Sequence, residues 1–233
     1  MAIFRHVFFD LDHTLWDLDK CSHETLTELF VEYDLQKIGI RHLPTFLDTF
    51  TKINRYLWTL HDQNQISKED IRKQRFPMVF ELLGITKVSF LAELEQEYLL
   101  RCPRKPHVVP HSHEVLSYLQ RKGTYRLHVI TNGFFDIQHV KMKSANIHHF
   151  FEHIITSECS GYKKPDRQMF EFAFQLANAH PSEAIMIGDN LETDIRGALD
   201  VGMTTIFFNP HRLPHQANVH YEIRCLLEIK NIL

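Results

Sequence analysis

"HVFFDLDHTL", residues 6–15, decides how this chain is read. Val7, Phe8 and Phe9 make the short apolar run of a buried strand, and the run ends on Asp10 and Asp12, two carboxylates one residue apart. Ionised groups are not left at the end of a buried strand unless something outside the sheet compensates them. The strand is therefore expected to deliver both aspartates to a site, and the rest of the chain must supply what they meet there.

From residue 112 onward, helix-period segments ("EVLSYLQRKG", "IQHVKMKSA", "MFEFAFQLA", "DIRGALDVG") alternate with strand-like ones ("RLHVIT", "HIITS", "AIMIGD", "TTIFF"). Such alternation predicts βαβ units and a parallel sheet covered on both faces, with "HVFFD" as its first strand. The fold class expected is α/β, a doubly wound, mainly parallel Rossmann-like sheet. Between about 16 and 106 the pattern is nearly all helical. Ser22 is expected to cap "HETLTELFVEY", a second run follows in "FLDTFTKINRYLWTLH", and Ser67 with Asp70 forms a capping box before "IRKQRFPMVFELLG", which Gly84 stops. The organisation predicted is a core of residues 1–15 and 107–233, interrupted by an all-helical cap of four helices over 16–106. Pro103, Pro106 and Pro110 stiffen one of the two connections.

Composition narrows the class. The chain has 233 residues, 44% hydrophobic and 24% charged, and 26 Lys+Arg against 29 Asp+Glu leave a formal charge of −3. That balance argues against an extended nucleic-acid footprint and for a small or locally recognised partner. Cys21, Cys102, Cys159 and Cys225 form no C-x-x-C pair and are expected to be reduced and mostly buried. No apolar run approaches the ~18 to 20 residues of a membrane span, and the N-terminal stretch is interrupted by Arg5 and His6, so a cytoplasmic location is the default expectation.

In open α/β sheets ligands bind beyond the carboxyl ends of the strands. The polar residues there are Asp10 and Asp12, Thr131 and Asn132, Asp189 with Asp194 a little further on, and Lys164 in "SGYKKPD". Converging carboxylates repel one another, so a site that collects them holds a cation; all-oxygen ligation with few protein groups suits Mg²⁺, which shares its site with phosphate. Phosphate in turn accounts for Lys164, for the Thr131 hydroxyl, and for the amides of Asn132 and Gly133 leading into a helix near Phe134.

The order D-x-D-x-T (Asp10, Asp12, Thr14), a strand ending in Thr131, Lys164 before Pro165, and G-D-x-x-x-x-D (Gly188, Asp189, Asp194) resembles the four motifs of the haloacid dehalogenase superfamily, in the pattern of its phosphatases. The long helical insertion is similar to the family's C1-type cap, and "FFDLDHTLWD" with "IGDNLETDIRGA" looks most like the pyrimidine nucleotidase group. The resemblance implies a Mg²⁺-dependent phosphomonoester hydrolase working through an aspartyl-phosphate. Asp10 would be the nucleophile, Asp12 the general acid and base, and Lys164 the counter-charge to the transferring group. Thr14, Thr131, Asn132 and Gly133 would complete the substrate-binding set. The metal would be held by Asp10, by Asp12 through its backbone carbonyl, and by Asp189, with Asp194 behind them. A nucleoside 5′-monophosphate or another small phosphometabolite is the substrate implied.

Each residue also has a plainer reading. A lone D-x-D is commonly a pair of surface carboxylates, and Asp194 suits the first turn of a helix. His13 reads as a structural or loop-facing residue, the "HSH" of 111–113 as no metal pair, Trp58 as bundle core, and "RKQR" at 72–75 as a solvated helix face. For Asn132 the backbone amide is expected to matter more than the side chain. Three other functions compete. A hydrolytic 2-haloacid dehalogenase lacks, in the family pattern, the second aspartate present here as Asp12. A sugar-phosphate mutase would keep all four motifs. A non-catalytic binding protein of the same fold would have no physical reason to keep nucleophile, acid/base, lysine and metal carboxylates together.

Overall fold

A computed structural model describes residues 4–233. In chain order the elements are β1 (His6–Phe9), α1 (Leu18–Glu32), α2 (Leu43–Asp62), α3 (Lys68–Leu82), α4 (Leu91–Arg101), α5 (Ser112–Lys122), β2 (Arg126–Thr131) and α6 (Phe135–Ser144). They continue with β3 (His153–Thr156), the single turn α7 (Ser157–Ser160), α8 (Arg167–Ala177), β4 (Ala184–Gly188), a π-helical turn over Leu191–Arg196, α9 (Gly197–Asp200), β5 (Thr204–Phe208) and β6 (Tyr221–Ile223). Two compact units result: one holds the chain as far as Leu18 together with Pro106–Leu233, the other Asp19–Lys105.

The six strands of the first unit pair in the order β3-β2-β1-β4-β5-β6, every pair parallel. All four residues of β1 are buried. Phe8 packs with Ile130, Ile155 and Met186 against Phe170 and Ala173 of α8 and Ala198 of α9, while Val7, Phe9, Val129 and Ile187 are buried on the opposite face. Each such side chain contributes roughly 1.5 to 3 kcal/mol on burial, which is why β1 can be short and still central. At the amino edge, His6 Nδ1 lies 3.2 Å from His128 Nε2. Burial, then the charges of His6 and His153 beside it, brings the His128 pKa down to about 3, so this imidazole is a neutral core group. The strand order reverses between β1 and β4, and their carboxyl ends open the crevice that such sheets use.

After β1 the chain coils tightly. Leu15 and Trp16 N–H donate to the Leu11 carbonyl at 2.9 and 2.8 Å, and His13 takes a left-handed φ of 64°. The outgoing and returning connections are tied together: Trp16 bridges Val108, Val109 N–H donates to Leu15 O at 2.9 Å, and Ser112 Oγ to the same carbonyl at 3.1 Å.

The second unit is four helices, α1 to α4, around Phe46, Phe50, Phe76 and Phe80. The Ser67–Asp70 capping box starts α3, and Gly84, at φ 78°, follows its end. Several sequence expectations are corrected here. Ser22 does not cap α1; it lies inside the helix, buried, and accepts from Tyr98 Oη at 3.1 Å. Arg75 is no solvated residue: it sits on the Ile71–Val79 stripe of α3, 5% exposed, and pairs with Glu95 through two hydrogen bonds. Trp58 is half-buried and edge-on to His61, while its neighbour Leu57 faces the core. Of the cysteines only Cys21 and Cys102 are buried; Cys159 is exposed. β6, three residues long, carries too little pattern to have been read. No helix among the described residues is long and apolar enough to cross a membrane.

Candidate active site

The ladder of β1 with β4 ends where Asp10 N–H donates to Ile187 O at 2.9 Å, so Asp10 and Asp189 leave neighbouring strands side by side. Asp194 comes back to them from the π-helical turn. Its Oδ2 accepts from Asn190 N–H at 3.1 Å and its Oδ1 from Lys164 Nζ at 2.6 Å. A Cβ added to Gly188 would lie 2.2 Å from Asp194 Oδ2, so glycine before Asp189 is what lets Asp194 approach. Lys164, 2% exposed, also donates to Asp10 Oδ1 at 2.5 Å. Thr131 ends β2, and its Oγ accepts from Gln138 Nε2 at 2.7 Å and from Gly133 N–H at 3.1 Å, leaving its own proton to donate.

Ligand oxygens of Asp10, Asp189 and Asp194 lie within 4.8 Å of one another. Burial pushes Asp10 well above the usual carboxylate range, with Asp194 and Asp189 adding to the rise and Lys164 opposing it. Burial, then Asp194, raises Asp189 to about 7. Three carboxylates thus face a single ammonium, all donors are oxygen, and the charge is undercompensated. This donor set fits a hard divalent cation.

Asp12 lies outside that cluster. Its carboxylate turns to helix α6, where Lys141 Nζ contacts Oδ1 at 2.7 Å and Oδ2 at 2.8 Å, and Gln138 Nε2 donates to Oδ2 at 3.1 Å. Burial pushes Asp12 up, but Lys141 and Gln138 outweigh it and hold the carboxyl below its ordinary range. The Asp12 side chain is therefore separate from the Asp10–Asp189–Asp194 cluster. Neither Gln138 nor Lys141 was singled out from the sequence. The available signal was their i,i+3 spacing, which puts them on one face of the helix that follows "TNG".

Three further expectations change. Thr14 is fully buried and donates to Asp189 Oδ1 at 3.1 Å, so its hydroxyl orients that carboxylate and cannot reach a ligand in the crevice. The Asn132 side chain matters after all: Nδ2 donates to Lys164 O at 3.0 Å and Oδ1 accepts from Lys164 N–H at 2.8 Å, fixing the backbone that carries the lysine. The Gly133 N–H is turned to Thr131 Oγ.

A doubly wound parallel sheet with aspartates after its two central strands, and a lysine and a threonine on the same rim, places the chain among α/β proteins whose site lies at the carboxyl ends of the strands. Residues 7–208 match the haloacid dehalogenase-like hydrolase family, and the chain belongs to it. It is 31% identical to the pyrimidine 5′-nucleotidase PynA of Streptococcus pneumoniae over 99% of this chain and 97% of that one. It is 32% identical to a glyceraldehyde 3-phosphate phosphatase of Pyrococcus abyssi, over 87% and 80% of the two chains. The crystal structure of the HAD hydrolase YfnB of Bacillus subtilis, bound to magnesium, superposes with a TM-score of 0.87 at 25% identity, covering 99% and 98% of the two chains.

Proposed function

We propose that this hydrolase is a Mg²⁺-dependent phosphomonoesterase and that it acts on a nucleoside 5′-monophosphate. The observation that carries the reading is the division of labour among aspartates: Asp10 in the metal-type cluster against Lys164, Asp12 apart from it on Lys141 and Gln138. Asp10, Asp189 and, behind them, Asp194 would hold Mg²⁺, with the Asp12 backbone carbonyl as a further ligand. When bound, the ion supplies positive charge to the phosphoryl oxygens and to the crowded carboxylates.

An Asp10 carboxylate oxygen attacks phosphorus in line as the ester P–O bond breaks, giving an aspartyl-phosphate. Asp12 gives a proton to the departing alkoxide. It is a carboxylate in this structure, so that proton arrives with the substrate as a phosphate monoanion, whose second ionisation lies near pH ~6. Water then attacks the phosphorus, loses its proton to Asp12, and releases phosphate and Asp10. Lys164 and the Thr131 hydroxyl hold the phosphoryl group while its charge redistributes.

Similarity to PynA over nearly the whole chain, the inserted helical unit included, supports the nucleotide as substrate. The likeness to the Pyrococcus enzyme supports a small sugar phosphate as the second reading. The presence of Asp12 speaks against a haloacid dehalogenase. A mutase would move phosphate to a second hydroxyl and not to water. The test is phosphate release from a panel of nucleoside 5′-monophosphates and triose phosphates with Mg²⁺. Release is expected with the wild type, and it is expected to stop in EDTA and in Asp10→Asn. Undiminished turnover by that variant sinks the mechanism.

A further inference from the structure

We propose that Lys141 and Gln138 are positioning residues that keep the Asp12 carboxylate out of the Asp10–Asp189–Asp194 cluster and aimed at the leaving group. The inference rests on the reading of Asp12 as acid and base and deepens it.

Asp12 is two positions after Asp10, with only Leu11 between them, so distance along the chain does not separate the two kinds of carboxylate. A carboxylate free to rotate beside a bound cation would be drawn onto it, and the proton donor would be lost as another metal ligand. Helix α6 supplies the separation. Lys141, buried, faces both Asp12 oxygens at nearly equal distance, and its ammonium rests 4.5 Å from the centre of the Trp16 ring, so its own position is fixed. Gln138, fully buried, directs its amide nitrogen to Asp12 Oδ2 and to Thr131 Oγ, while its Oε1 has no hydrogen-bond partner among the described residues. A glutamine serving only the core would satisfy that oxygen; leaving a buried acceptor unpaired costs about 1 to 3 kcal/mol. The side chain is oriented for its two acceptors, one on the proposed acid/base and one on the proposed phosphate ligand.

The experiment is Lys141→Met, which keeps most of the stem and removes the ammonium, with Lys141→Arg as the conservative variant. Two probes with Mg²⁺ separate the roles: p-nitrophenyl phosphate, whose phenolate leaves without a proton, and 2-phenylethyl phosphate, whose alkoxide needs one. Here kcat/KM reports the step in which the leaving group departs. Lys141→Met is expected to lower kcat/KM about 100-fold on the alkyl ester and no more than about threefold on the nitrophenyl ester, through kcat and not KM, with Lys141→Arg restoring most of the loss. Equal losses on both probes, or none on the alkyl ester, overturn the proposal. A crystal structure of Lys141→Met is the second arm and does not depend on turnover. Asp12 rotated away from α6 on an unchanged backbone supports the proposal, and Asp12 in its original rotamer overturns it. Should the wild type hydrolyse neither ester nor any member of the nucleotide and triose-phosphate panel, the phosphatase reading fails on its own, and the crystal structure still decides whether Lys141 holds Asp12.

Discussion

At Gly133 a single methyl group is enough to disturb the site. A Cβ there would lie 2.0 Å from Gln138 Nε2 and 2.4 Å from Gln138 Cδ, so alanine must push the glutamine off Asp12 and Thr131 together. Gly133→Ala is expected to lower kcat/KM on alkyl phosphates by about 100-fold, the scale of a displacement near 1 Å at a reacting centre, while thermal melting shows a cost of no more than about 1 to 3 kcal/mol. Unchanged kinetics would show that Gln138 has no part in the site. Of the residues read from the sequence, Asp10, Asp12, Thr131 and Asp189 stand at or just beyond strand ends, where periodicity breaks against a polar side chain, whereas Lys164 lies past the turn α7 and was read from its place before Pro165. Gln138 and Lys141 stand inside a helix and meet Asp12 across 126 and 129 residues of chain, so only the fold brings out their role. Thr14 was read by its motif, and its true partner, Asp189, is 175 residues away.

Among the elements, α3 and α4 show what charge does inside a small bundle. Arg75 donates to both oxygens of Glu95 and to Asn54 Oδ1 at 2.9 Å, and its guanidinium lies 4.7 Å from the Tyr98 ring centre. Removing one partner of such a pair leaves a buried charge uncompensated. Arg75→Met is expected to destabilise the protein by about 3 to 5 kcal/mol in chemical denaturation, and the double variant Arg75→Met/Glu95→Leu to recover most of that. A double variant as unstable as the single one would locate the cost in lost packing and not in stranded charge. The pair was open to a sequence reading: position 75 falls at the spacing of Ile71 and Val79, so a helical wheel would have placed a charge on the buried stripe. Reading "RKQR" as one basic run hid that spacing. The strands were easier, because β1 and β4 are short, mostly apolar runs, β2 and β5 are rich in β-branched and aromatic residues, and none needs a partner to be recognised.

For the whole molecule, the acidic cluster is a source of instability until it is neutralised. Mg²⁺ is expected to raise the melting temperature of the wild type, by the equivalent of about 2.7 kcal/mol at a hundredfold excess over Kd, and to leave that of Asp189→Asn nearly unchanged. In metal-free buffer near neutral pH, Asp189→Asn should be at least as stable as the wild type, since the amide removes a charge that burial and Asp194 both disfavour. A melting temperature indifferent to Mg²⁺ in the wild type would remove the metal from the site. The doubly wound class was legible from alternation, whereas the strand order comes from the pairing itself, and the convergence of Asp194 on the cluster depends on a π-helical turn that no local pattern announces.

The knot of hydrogen bonds joining Leu15 and Trp16 to Val108, Val109 and Ser112 has a consequence for descent as well as for folding. Eighty-seven residues, Asp19–Lys105, are spliced in at one doorway whose two jambs are fastened to each other and, through the Trp16 bridge to Asp12, to the loop that follows β1. Whatever hangs from that doorway can be lengthened, shortened or exchanged with little disturbance to the loop behind it. A lineage built this way can explore new clientele by trading heads while it inherits the same machinery unaltered.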